Sequence, residues 1–342
     1  MNTTRRWTLA AILAASAITG GFVAADSDDN PQNTLVLYCG RSQSLVGPLI
    51  EEFTRQTGIQ VQVKYAGTPQ LVGLLQEEAD KSPADLFWAQ DAASLGTLAK
   101  ANAFVPLPEN LINKVSPRFR SHSGLWIATS ARARVLAYSP ARVKANELPR
   151  SVFELTNPKW KGRVGWAPGN ASFQAFVTAM RTMHGDKKTL NWLNDMKSNG
   201  AKAYPKNLPI VEAIAAGEID LGLPNHYYLL RKKAEDPNFP VEQTFFADGC
   251  VGNLLLVSGI GVTRTSRHTE QAEKFIEFML SPNAAQSYFA SDDMEYSVVE
   301  GVTNPAQLPG ADALQRIAPD VNLDDLNDLE GTQKLLREAG LI

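Results

Sequence analysis

The segment Gly222-Leu-Pro-Asn-His-Tyr-Tyr-Leu-Leu-Arg231 holds the most chemically suggestive pair in the chain, the adjacent Tyr227 and Tyr228. In a strand the two rings would point to opposite faces, whereas just after Pro224 and Asn225, at a helix start, both can lean toward one opening. Two phenolate oxygens are hard, anionic donors that suit a hard, highly charged cation such as ferric iron. A phenol titrates near pH 10, so such binding must expel protons and weaken as the pH drops. The same dipeptide would also serve as an aromatic pair packing one lobe, and taken alone it leaves both uses open. Hydrolytic chemistry finds no comparable support. No serine lies in G-x-S-x-G or has a lysine three residues on, H-E-x-x-H is absent, and His122, His184, His226 and His268 are scattered. There is no phosphate-binding G-x-x-x-x-G-K-[ST] and no glycine-rich dinucleotide fingerprint after the first strand.

The elements that must position the tyrosines follow from length and patterning. At 342 residues the chain exceeds one ordinary core, so two lobes are expected. With 33 Lys and Arg against 36 Asp and Glu it lacks the basic footprint of a nucleic-acid binder. Residues 1–25 read as a secretory signal: Arg5 and Arg6, an apolar run over Trp7–Thr19, and the small-residue site Val23-Ala24-Ala25. The run is too short and too rich in Ala, Gly and Thr for a lasting anchor, so stable membrane insertion is not expected. Cleavage leaves 31 basic against 36 acidic residues in an oxidising extracytoplasmic space. There Cys39 and Cys250, about 210 residues apart, have two open fates. They either form a bridge worth on the order of 5 kcal/mol or remain two buried thiols.

Strand 34–39, helix Ser44–Gln56, strand Ile59–Tyr65, helix Thr68–Lys81 and strand Ala84–Trp88 alternate as in a doubly wound sheet. A strand over Arg132–Tyr138 opens a second α/β series: strand Arg163–Trp166, helices Ser172–His184 and Leu190–Asn199, helix Leu208–Ala216, strand Ile219–Leu223 and helix Tyr227–Glu235. An apolar strand Leu254–Val262 and an amphipathic helix Thr269–Leu280 follow. The predicted fold class is α/β, two doubly wound lobes joined by a two-strand hinge with a ligand cleft between them. The expected division is residues 34–132 plus about 259–308 for one lobe, and about 135–257 plus 309–342 for the other.

Five stretches carry a more specific likeness: Tyr38-Cys-Gly-Arg-Ser42, Gln76-Glu-Glu-Ala-Asp-Lys-Ser-Pro-Ala-Asp85, Ala131-Arg-Ala-Arg-Val-Leu-Ala-Tyr138, Pro158-Lys-Trp-Lys-Gly162 and Asn225-His-Tyr-Tyr228. Together with the ending Leu335-Leu-Arg-Glu-Ala-Gly-Leu341, they make the mature chain resemble the periplasmic ferric-ion-binding proteins of bacterial iron ABC transporters. The resemblance implies that Tyr227 and Tyr228 are iron ligands and that a carbonate or phosphate ion binds beside the metal. It also implies delivery by a monomer, with no chemistry on the ligand, to a membrane permease driven by a cytoplasmic ATPase. Where well-known members add a histidine and a glutamate, this chain has Ser42 and Ala89, and Asn170-Ala-Ser172 stands where others supply a further tyrosine.

The anion expectation also has a physical basis, because Gly169-Asn-Ala-Ser172 opens a predicted helix whose free N–H groups attract negative charge. Asn170, Ala171 and Ser172 are therefore candidate anion contacts. Asn207, Asn225 and Gln90 join them by position in the family pattern. Arg41 and Arg132 are candidate cations for a bidentate grip on carbonate, and Ser42, beside Arg41, is a further candidate anion contact. Carbonate is favoured because neutral Ser42 and Ala89 remove one negative charge that a dianion restores. Tyr38 and Tyr138 are read as lobe packing, and His226 as a surface or supporting residue rather than a ligand. An organic or oxyanion solute (a phosphonate, polyamine or thiamine-like compound) is the alternative cargo, and a secreted hydrolase on the same hinged fold is the more distant one.

Overall fold

The computed structural model describes residues 33–302 and 311–342, so the expected signal segment lies outside the described residues. Short β-branched and aromatic runs form the sheets. β1 (Thr34–Cys39), β2 (Gln60–Tyr65) and β3 (Leu86–Ala89) are parallel. β10 (Leu255–Val262) runs antiparallel to β3 and to β4 (Ile127–Ala133), giving the order β2-β1-β3-β10-β4. All four β3 residues are buried, as a central strand covered on both faces requires. α1 (Gln43–Thr57) lays Val46, Leu49, Ile50 and Phe53 on the sheet and ends at Gly58, whose φ of 71° supplies the left-handed stop. α2 (Thr68–Glu78), α3 (Ala92–Lys100), the short α4 (Glu109–Ile112), α9 (Thr269–Met279) and α10 (Ser287–Ser291) belong to the same lobe. Trp88 at its centre meets Phe275 and Phe289 edge-on, with ring centres 6.1 and 6.3 Å away.

The second sheet has the order β7-β6-β8-β5-β9, from β5 (Leu136–Tyr138), β6 (Val164–Trp166), β7 (Lys202–Ala203), β8 (Leu221–Gly222) and β9 (Glu242–Thr244). Its helices are α5 (Ala171–His184), α6 (Asp186–Ser198), α7 (Asn207–Ala216) and α8 (Tyr227–Glu235). The two-lobed α/β architecture is the one expected. No helix among the described residues is long and apolar enough to cross a membrane.

The single strand expected over Arg132–Tyr138 is divided. β4 ends at Ala133 on the first sheet, and β5 starts at Leu136 on the second. Between them the Arg134 N–H donates to Leu254 O at 2.9 Å and the Val135 N–H to Pro224 O at 3.2 Å, so the chain changes sheets there. The return path runs from β9 to β10. The helix expected over Thr68–Lys81 likewise stops at Glu78, with Ala79–Lys81 a 3₁₀ turn whose Ala79 sits at φ 46°.

The C-terminal segment, α11 (Ala311–Ile317) and α12 (Leu329–Glu338), was expected on the second lobe. α12 does pack on α5, with Thr178 and Thr332 hydroxyls 2.7 Å apart and Arg181 paired to Asp328 at 2.9 Å. The turn before it touches the first lobe instead: Lys100 Nζ donates to Asn327 at 2.7 Å and Trp126 Nε1 to Asp324 at 3.1 Å. The tail thus contacts both lobes. Cys39 and Cys250 are both free thiols, one ending β1 and the other beside Ser151, which decides the open question against a bridge.

Candidate functional site

The approach to α8 is fixed from both lobes before the helix begins. Asn225 forms a backbone bridge with Arg134, and the N–H and C=O of the His226 and Ala133 backbones meet at 3.0 Å. His226 is fully buried, so of the two expected positions, surface or supporting, it takes the supporting one. Its Nδ1 accepts the Ala133 N–H at 3.2 Å, so Nε2 carries the hydrogen and donates to Met294 O at 2.8 Å. The ring stacks on Tyr296 at 4.5 Å, and burial drives its pKa down to about 4. With both nitrogens used, His226 locks the seam between the lobes.

Tyr227 and Tyr228 then open α8 with ring centres 4.3 Å apart and planes 32° from parallel. Both rings are half-buried. Arg231, one turn on, lies 4.8 Å over the Tyr227 ring. Burial is the main reason the Tyr227 phenol is pushed well above its ordinary pKa; Arg132 pulls it down, while Tyr228 and Glu295 push it further up. The rings therefore face one space, as the helix-start argument requires.

Beneath them lies Arg134, a residue that the sequence patterning did not single out. It is 2% exposed. Nη1 donates to Ser172 Oγ at 3.1 Å, Asn207 Oδ1 at 3.2 Å and Asn225 Oδ1 at 3.2 Å, and Nη2 donates to Leu223 O. No carboxylate pairs with it among the described residues; Tyr227 and Tyr228 are its electrostatic neighbours, and burial lowers its pKa to about 9. Asn170 caps α5, accepting the Ser172 N–H at 3.0 Å and the Asn207 amide at 3.3 Å. Ser172, Asn207 and Asn225 thus converge on one buried cation, Asn170 holds Ser172 and Asn207 in turn, and Ala171 is exposed at the first helical position. The available signal was the alternation Arg132-Ala-Arg134, which marks two arginines on one strand face.

The first-lobe candidates are arranged differently. Arg41 is buried and gives Nη1 to both Glu295 oxygens at 3.2 Å and to Ser258 Oγ, while Nη2 stands 3.6 Å from Asp293. Arg132 donates to Ser258 Oγ and to Gln90 O, each at 2.7 Å, and lies 3.8 Å from Glu295. Burial works against charge on Glu295, yet Arg41 and Arg132 outweigh it and hold the carboxyl below its usual range. Asp293 is pushed up to about 7, first by burial and then by Glu295. Ser42 is exposed at the start of α1 with no side-chain cap, and Ala89 is buried opposite Gly259. Gln90 is half-buried beside the cleft strand ends. Tyr38 donates to Glu78 at 2.9 Å and Tyr138 belongs to β5, so both serve their own lobes.

No group of three or more His, Cys, Asp or Glu side chains among the described residues is arranged to hold a metal. A cavity of about 480 Å³ lined by Asp80, Lys81, Asp85, Arg264, Arg267 and His268 lies at the opposite end of the first sheet and contains none of these residues.

The sequence profile of the bacterial extracellular solute-binding proteins matches residues 81–320. An Fe(3+)-binding periplasmic protein of Serratia marcescens is 33% identical, over 97% of each chain. A major ferric iron-binding protein of Neisseria meningitidis is 32% identical, over 90% of this chain and 93% of its own. Among solved structures, iron-bound HitA from Pseudomonas aeruginosa superposes with a TM-score of 0.81 at 31% identity, covering 90% of this chain and 99% of its own. A Trichodesmium protein in complex with iron and citrate superposes with a TM-score of 0.80 at 28% identity, covering 90% of this chain and all of its own.

Proposed function

This chain belongs to the bacterial extracellular solute-binding proteins, in their periplasmic ferric-ion-binding group, and from that premise we propose that it captures ferric iron with a small anion between its lobes. The observation that carries the reading is the pair of adjoining phenols above a buried guanidinium that no carboxylate neutralises. Tyr227 and Tyr228 shed their protons and bind the ion through oxygen. Arg134 offsets the phenolate charge from below. Asn225 turns Oδ1 to Arg134, leaving its amide NH₂ for an anion, and the N–H groups at Ala171 and Ser172 open the α5 N-terminus beside it. Carbonate is the preferred anion and phosphate the alternative. Arg132, held by Ser258 and Gln90, is the first-lobe cation that acts on Tyr227; Arg41 shares Ser258 with it, and exposed Ser42 follows Arg41.

The protein acts as a monomer in the periplasm after losing residues 1–25, and it hands its cargo to the permease of an ABC importer with its cytoplasmic ATPase. It performs no chemistry on the ligand, and it binds neither nucleic acid nor the bilayer. Titration of the mature protein with ferric nitrilotriacetate, in bicarbonate and in phosphate, tests the reading. Loading should produce a visible tyrosinate-to-iron absorption band and raise the melting temperature, since a ligand at 100 times its Kd adds about 2.7 kcal/mol. The double variant Tyr227→Phe/Tyr228→Phe should lose both responses. Absence of any band from the unaltered protein in either buffer overturns the reading.

The uncompensated Arg134 also favours a second reading, an oxyanion or organic anion as the sole cargo. Anion binding that survives the double phenylalanine variant, in a protein that never takes iron, selects it.

A further inference from the structure

Tyr227 stands in the chain between two residues, His226 and Arg231, that both reach into the other lobe. The segment Asp293–Tyr296 belongs to the first sheet, where Tyr296 and Ala131 exchange backbone hydrogen bonds at 2.8 and 2.9 Å. Its Met294 holds φ at 56°, a left-handed turn costly to a non-glycine residue. At that turn two consecutive carbonyls accept from the second lobe. His226 Nε2 donates to Met294 O at 2.8 Å, and Arg231 Nη2 donates to Asp293 O at 3.0 Å.

The same two side chains bound the Tyr227 ring. The His226 ring meets it edge-on, with centres 5.7 Å apart and planes at 89°, and the Arg231 guanidinium lies 4.8 Å over it. Arg231 follows Tyr227 by four positions, which places both on one face of α8. Tyr228 is held differently, by packing against the second-lobe core that contains Ile210 and Ile214. Beyond burial, the groups acting on the Tyr227 phenol are Arg132, Tyr228 and Glu295. Arg231 therefore bears on where the ring sits rather than on how readily its proton leaves.

We propose that Arg231 is a positioning residue for the captured iron, fixing the Tyr227 ring against the first lobe so that both lobes set the geometry of one ligand. The inference rests on the ferric reading above. A planar guanidinium can stack on the ring with its face while its edge donates to Asp293 O, and the compact ammonium of a lysine cannot do both. Iron held by the pair thus meets one oxygen placed by the second lobe alone, that of Tyr228, and one whose direction the seam controls.

The test titrates ferric nitrilotriacetate into the unaltered protein, Arg231→Met, Arg231→Lys and Lys232→Met, then times release to excess EDTA. Lys232 removes the same charge one residue away and pairs with Glu212 and Glu235 of its own lobe. Arg231→Met should shift the tyrosinate-to-iron band and speed release about fivefold. Arg231→Lys should recover part of the release rate but keep a shifted band, and Lys232→Met should match the unaltered protein in both. In a Tyr228→Phe background Arg231→Met should still shift the band, and in Tyr227→Phe it should not. Melting of each iron-free variant reports folding; should Arg231→Met be unfolded, Arg231→Lys decides by the same band criterion. An unshifted band overturns the assignment even if release quickens, because a merely structural contact loosens the protein without turning the ring. A shift that persists without Tyr227 overturns it as well. A missing band in the unaltered protein overturns the ferric reading, and this assignment with it.

Discussion

The two halves of the cleft bury charge in opposite ways. On the first lobe Arg41, Arg132, Asp293 and Glu295 form two cations against two anions, tied further by Ser130 and Ser258. On the second lobe a single cation, Arg134, is ringed by the neutral oxygens of Ser172, Asn207, Asn225 and Leu223. The first arrangement sets two cations against two carboxyl groups and ties distant segments together. The second satisfies the donors of its cation without cancelling its charge, which on the proposed reading lets it offset the phenolates and an accompanying anion. On that reading one half holds shape and the other receives cargo.

Glu295→Gln should break this contrast most forcefully. It leaves Arg41 buried against one weakened partner, and breaking such a pair costs about 3–5 kcal/mol. Denaturant unfolding of the iron-free protein measures the loss, and an unchanged midpoint would show that the first-lobe cluster is not what holds that half together.

The seam between the halves gives the next effect, of opposite origin. His226 titrates near 4 in the folded chain because burial penalises its charge; Glu295 and its hydrogen bond to Met294 pull it up, and Arg132 pushes it down. In the unfolded chain it titrates near 6.5, so between those values the unfolded state takes a proton that the native state refuses. Stability attributable to His226 is therefore full above pH 6.5, falls as the pH drops toward 4 and is lost below it, on the order of 3 kcal/mol in all. His226→Gln keeps an acceptor for Ala133 and a donor for Met294 without a titrating group. Its melting temperature should fall less than that of the unaltered protein over this range. Asp293, raised to about 7, contributes with the opposite sign, gaining stability as the pH falls through 7, but it does so in both proteins and cancels in the difference.

How much of this was legible in the sequence depended on the range of the interaction. The tyrosine pair could be read because its meaning is local: two phenols at a helix start, after Pro224 and Asn225, must share a side. The helix cap at Asn170 is equally local. Arg41 drew attention for its nearness to Ser42, but its partner Glu295 is 254 positions away, and no spacing rule reaches that far. Arg134 escaped notice because Arg132–Tyr138 reads as one continuous strand, whereas the chain changes sheets between Ala133 and Leu136. That switch sends Arg132 to the first-lobe cluster and Arg134 beneath the tyrosines. His226 looked peripheral because helical geometry turns it away from Tyr227, and only the fold shows that this direction leads into the seam.

Arg134→Met sharpens the comparison at a smaller scale. It removes a cation that has no carboxylate partner but frees several acceptors, so a loss of about 1–3 kcal/mol is expected, less than for Glu295→Gln. Iron loading should become insensitive to whether bicarbonate or phosphate is supplied, as followed by the absorption band in each buffer. A stability loss equal to that of Glu295→Gln, with anion dependence intact, would erase the distinction between the halves.

The smallest expected effect is none at all. Each half carries one thiol: Cys39 at the cleft end of β1, pushed up to about 12 chiefly by burial, and Cys250 beside Ser151 in the other lobe. If the halves are joined only by the strand crossings, the tail and the ionic seam, a reductant should leave the melting temperature unchanged, and the unfolded protein should yield two free thiols per chain without reduction. A disulfide over so long a loop would add about 5 kcal/mol. A reductant-sensitive melting point would mean that the lobes are also covalently tied, and that part of the restraint assigned to the first-lobe charges belongs to sulfur.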